Sequence, residues 1–149
     1  MGADMVPGSD RRQLDAAPAE RGLTALVEAA ERAVEKISSS VPPAQLRALL
    51  IVDRAGGLNL NRLAAQVGAS ASATSRLCDR MEMAGLLTRD RAVGSRREIV
   101  LSLTESGHRL ADWVREQRRA ALAELLAAMT PEGRDALLRG LGELALQAG

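Results

Sequence analysis

Between residues 60 and 104 the hydrophobic period switches from helical to alternating, and a glycine stands at each change of direction. Leu60, Leu63, Ala64 and Val67 recur at helical spacing. Gly68 then supplies a residue that readily takes the left-handed backbone ending a helix. Ser70 stands where an N-cap belongs, ahead of a second helix that runs to about Ala84 with Leu77 and Met81 facing inward. Gly85 closes that helix. Residues 86–89 and 98–103 follow as two strands, with Gly94-Ser95 in the hairpin tip between them.

A short helix, a glycine turn, a second helix and a charged hairpin make a winged helix-turn-helix. Such a unit presents its second helix to the major groove of double-stranded DNA. The flanks are helical as well. Residues 1–19 have no periodicity and read as a disordered tail. From about Glu20 an amphipathic helix carries Leu23, Leu26, Val27, Ala30, Val34 and Ile37 until Ser38-Ser39-Ser40 and Pro42-Pro43 break it. Pro43 suits the first turn of the next helix, with Leu46, Leu49, Leu50 and Val52, which Gly56-Gly57 stops. Leu58 adds a short extended piece. Thr104 caps a long helix reaching Met129, and Thr130-Pro131 opens a last one with Leu137, Leu138, Leu141, Leu144 and Ala145. The expected fold is mainly α with a small β-wing. Residues 43–104 form the DNA-binding lobe, and residues 20–42 and 105–149 form dimerisation helices. The terminal apolar stripes exceed what one lobe needs, and a homodimer buries the excess; an intrachain bundle is the alternative.

Composition excludes several classes. A single cysteine permits no intrachain disulfide, and no apolar run approaches the roughly 18 residues of a membrane span. The N-terminus lacks the apolar block of a secretory signal, so a soluble cytoplasmic protein without membrane contact is the default. No acid–base pair with histidine, phosphate loop or metal-ligand cluster is present, so neither an enzyme nor a cofactor is expected. Net charge is only +1, but its distribution is uneven. Residues 60–104 hold seven arginines against four acids, while residues 1–31 hold three arginines against six acids. Basic charge therefore gathers where the DNA motif lies.

Within the second helix, Ser70, Ser72, Ala73, Thr74 and Ser75 are small enough for close backbone approach, and their hydroxyls suit phosphates or base edges. Thr74 and Arg76 are the candidates for base contacts, the arginine matching guanine O6 and N7. Arg80 lies one turn further on. At the hairpin tip Ser95, Arg96 and Arg97 are placed for the flanking minor groove, whose narrow A·T tracts attract arginine. Arg89 and Arg91 in the hairpin stem either touch phosphates or pair with Asp90 and Glu98. The competing readings are an ordinary capped polar helix and a solvated turn. Cys78, within the second helix, reads as buried and inert rather than as a redox sensor. His108 suits a surface or capping role, and Trp113 a core or pocket-lining one.

Leu63-Ala64, Gly68, Arg76, Met81-Glu82, Gly85-Leu86-Leu87, Arg97 and Leu103-Thr104-Glu105-Ser106-Gly107, in that order, resemble the MarR family of bacterial transcriptional regulators. The resemblance implies a homodimer with winged helix lobes. It implies repression of nearby genes, often relieved by a small molecule or by oxidation. One position departs from it: Ser95 stands where the family's wing usually carries an acid two residues before the arginine. The sequence thus points to a ligand-responsive repressor acting as a homodimer on a palindromic operator. The alternative is a winged-helix protein-interaction module that does not bind DNA.

Overall fold

The computed structural model describes residues 16–38, 40–91 and 99–147. The elements run α1 (Ala17–Ser38), α2 (Pro43–Ala55), α3 (Leu60–Val67), α4 (Ala71–Met83), β1 (Leu87–Arg91), β2 (Ile99–Leu103), α5 (Glu105–Ala127) and α6 (Pro131–Gln147). The fold class is the expected one, with six helices and one small antiparallel ribbon among the described residues. α1 begins at Ala17, so residues 17–19, expected in the tail, are helical. Pro18 is no obstacle, because a first-turn proline lacks only an N–H that would have no intrahelical partner.

Local chemistry sets the boundaries. The Asn59 side chain accepts from Arg62 N at the start of α3, and Ser70 Oγ accepts from Ala73 N at the start of α4. Gly68 ends α3 at φ 76°, a left-handed value that costs a β-carbon-bearing residue about 1–2 kcal/mol. Thr104 caps α5 through Gly107 N, and Thr130 Oγ1 accepts from Gly133 N at the start of α6. β1 and β2 pair from Leu87↔Leu103 to Arg91↔Ile99. Leu58 adds an isolated antiparallel bridge to Leu101, so the expected extended piece is a third contributor to the wing base.

The main core lies inside the helix-turn-helix lobe. Leu49 and Val52 of α2, Leu63 of α3, Leu77, Cys78 and Met81 of α4, and Leu87, Leu101 and Leu103 of the ribbon converge there with Ala111 of α5. Each fully buried leucine or methionine contributes about 1.5–3 kcal/mol of transfer free energy, so the helix-turn-helix is fixed from behind by its own apolar face. A smaller cluster of Val34, Leu46 and Val114 joins α1, α2 and α5 and sets the lobe on the long helices. The terminal helices are buried least. α6 has no buried residue, and Leu138, Leu141, Leu144 and Leu146 are exposed on it, as are Leu23 and Val27 on α1. Trp113, expected in the core or lining a pocket, is 45% exposed on α5 and so is not part of the core, because its neighbours Ala111 and Val114 take the inward face. No helix among the described residues is long and apolar enough to cross a membrane.

Candidate nucleic-acid interface

α4 is divided lengthwise. Thr74, Leu77, Cys78 and Met81 are buried and point into the lobe, whereas Ser72, Arg76, Asp79, Arg80 and Met83 are exposed. Residues 72, 76, 79 and 83 are three or four apart and therefore share one face of the helix. Arg80 flanks that face on one side, with Ser75 and Glu82 on the other. Ala71, Ala73 and Ser75 add little bulk to the first two turns. Ser70 and Ser72 stand at the helix entrance with their hydroxyls 3.2 Å apart.

Thr74 does not fit the role expected of it. Its side chain is fully buried and its Oγ1 donates to the Ser70 carbonyl at 2.9 Å. A hydroxyl satisfied by the preceding turn offers no atom to a base edge. The exposed arginines Arg76 and Arg80 are left as the long cationic side chains of this face. On α3, Arg62 is exposed as well.

Arg89 does not pair with Asp90, one of the partners expected for it. It reaches back to α4, with Nη2 2.6 Å from Asp79 Oδ1 and Nη1 2.7 Å from Glu82 Oε2. Nη2 also donates to the Ser75 carbonyl at 3.3 Å. Hydrogen bonding to Asp79 holds the guanidinium pKa above its already high ordinary value. Asp90 is engaged locally instead, accepting from Thr88 Oγ1 at 2.9 Å. Arg91 is exposed at the end of β1. Ser95, Arg96, Arg97 and Glu98 lie outside the described residues.

The lone thiol and the lone imidazole sit in different settings. Cys78 is buried in α4, and burial pushes its thiol up from the usual value, an effect that nearby Arg89 opposes and Asp79 and Glu82 reinforce. The His108 ring lies on the surface, with Nδ1 2.8 Å from Asp53 Oδ1. Arg115 pairs with the other oxygen of Asp53 and also with Asp112. This network ties α2 to α5, and no local sequence signal announces it. No group of three metal-binding side chains occurs among the described residues. Between α1, α2 and α5 lies a cleft of about 750 Å³, lined by Val34, Leu46, Leu50 and Ile51 together with Arg47, Arg54, Arg118, Glu31 and Glu35.

Comparison with known proteins bears on this arrangement. The model of the MarR family matches residues 41–99. The HTH-type transcriptional regulator YfiV of Bacillus subtilis is 31% identical over 109 residues, which span 73% of this chain and 67% of that protein. The HTH-type transcriptional repressor MdtR of the same organism is 34% identical over 92 residues, 62% of this chain and 59% of MdtR. Among solved structures, RV1404 from Mycobacterium tuberculosis superposes with a TM-score of 0.74 at 30% identity, over 89% of this chain and 90% of that one.

Proposed function

The chain belongs to the MarR family of transcriptional regulators and is not an enzyme; on that premise we propose that it is a ligand-responsive homodimeric repressor reading a palindromic operator. The observation that carries the proposal is the division of α4. A helix anchored by Leu77, Cys78 and Met81 turns Ser72, Arg76 and Arg80 outward with small residues ahead of them. That is the shape a major-groove reader requires.

In this reading Ser70, Ser72, Ala73 and Ser75 bring the α4 backbone close to the phosphates. Arg76 reads guanine, Arg80 and Arg91 meet phosphates, and Ser95, Arg96 and Arg97 enter the adjoining minor groove. Two lobes then engage half-sites about 34–36 Å apart. The exposed leucines of α6 and the apolar residues of α1 support the dimer, since such a stripe is stable in water only when covered. The cleft between α1, α2 and α5 supports a small-molecule effector, because it adjoins both the terminal helices and the lobe. An effector that prefers one spacing of the two lobes shifts DNA affinity by its differential binding to the two states.

The test is selection of genomic fragments on the purified protein, followed by titration of the enriched duplex. The reading predicts saturable binding of two chains per duplex. It also predicts a steep loss of affinity with salt, with log K falling by about 0.9 per phosphate contact for each unit of log salt. A stoichiometric protein partner without any DNA footprint would instead favour the interaction-module reading.

A further inference from the structure

The proposed reading face carries a charge of the wrong sign. Asp79 lies between Arg76 and Met83 on the outward side of α4, and Glu82 stands beside it. Their side chains are 52% and 44% exposed. Left free, both would repel the phosphates that Arg76 and Arg80 attract. Arg89 crosses from β1 to meet both, and its own side chain is only 27% exposed. Its planar fork spans two acceptors that the helix sets three residues apart, a task a lysine point charge performs less well. The further bond to the Ser75 carbonyl aims the fork along the helix.

We propose that Arg89 is a positioning residue for DNA reading. It neutralises charge on the Asp79–Glu82 edge of α4 and fixes the wing strand to the reading helix, without touching DNA itself. The inference rests on the reading of α4 as the DNA-reading helix. Counting Arg76, Arg80, Asp79 and Glu82 alone, that surface is neutral; Arg89 makes it +1. The guanidinium also ties β1 to α4 from the same strand face that carries the buried Leu87 two residues earlier.

A charge-rescue series on one enriched duplex tests this. Arg89→Met should weaken binding about tenfold, the scale set by one charged contact. Arg89→Met/Asp79→Asn/Glu82→Gln, which removes the stranded acids, should return to within about threefold of wild type with an unchanged salt slope. If Arg89 instead contacts a phosphate, the triple variant stays as weak as the single one and its slope falls by about 0.9, which overturns the proposal. Arg76→Ala separates the two claims. Its loss of binding beside wild-type binding by Arg89→Met overturns the proposal alone, whereas wild-type binding by Arg76→Ala overturns the α4 reading and the proposal together. Should Arg89→Met fail to fold, hydrogen exchange in Asp79→Asn/Glu82→Gln replaces it. Faster exchange at residues 87–91 supports the clamp, and unchanged exchange overturns it.

Discussion

Alanine at position 107 would put a methyl carbon 2.2 Å from the Leu86 carbonyl oxygen and 3.1 Å from Leu103 Cβ. A carbon–oxygen contact settles near 3.3 Å, so the first turn of α5 must retreat by about 1 Å. Three hydrogen bonds resist that retreat. Thr104 N donates to Leu86 O at 3.1 Å, Thr104 Oγ1 donates to Gly85 O at 2.6 Å, and Gly107 N donates to Thr104 Oγ1 at 3.0 Å. One threonine therefore both caps α5 and clasps the turn that ends α4. Overpacking costs about 1–3 kcal/mol, and loss of the cap adds about 1 kcal/mol. Alanine's better helix propensity offsets about 1 kcal/mol, leaving Gly107→Ala less stable by about 1–3 kcal/mol. Gly22→Ala is the control, because an added methyl there meets nothing within 4 Å in the chain and α1 should gain about 0.5–1 kcal/mol. Urea unfolding followed by far-ultraviolet circular dichroism, at one fixed chain concentration, measures both. A Gly107→Ala midpoint at or above wild type would refute the reasoning.

Two further outcomes follow, one from burial and one from exposure. Because burial raises the Cys78 thiol pKa above the usual 9.0, the folded thiol stays protonated where a free one ionises. The associated stability is complete below that usual value and declines as pH rises towards the raised one. Alkylation of native protein at mildly alkaline pH should therefore be much slower than after unfolding, and Cys78→Ala should lose the alkaline part of the stability profile; equal alkylation rates would contradict the burial. Leu141→Glu places a charge among the exposed leucines of α6, and sedimentation should show a shift from dimer towards monomer with the lobe still folded. An unchanged sedimentation profile would remove α6 from the interface.

The helix-turn-helix was legible because its boundaries are written in residues with local effects. Gly68 and Gly85 take positive φ, and Ser70, Thr104 and Thr130 cap their own helices, so no distant contact was needed to place them. The Gly-Leu-Leu and Leu-Thr-x-x-Gly motifs, far apart in sequence, turn out to be two halves of one contact at the wing base. Other features depend on tertiary partners. Thr74 looks like a polar surface residue until its hydroxyl is seen to be satisfied by Ser70 O, after which its methyl group belongs with the core. Trp113 looks like core by hydrophobicity, but the smaller Ala111 and Val114 fill the inward face of α5. Arg89 looked like one more basic residue of the hairpin, since nothing in the local sequence announces that β1 lies against Asp79 and Glu82. The i, i+3 acid pair on an otherwise basic helix was the available signal.

The central claim is that the outward face of α4 reads DNA. Its most direct measurement is the affinity of Arg76→Ala across a set of single-base variants of one enriched operator half-site. The account predicts that wild type discriminates at one position by about 1–3 kcal/mol, and that Arg76→Ala loses discrimination at that position alone while remaining folded. Discrimination unchanged at every position would contradict it.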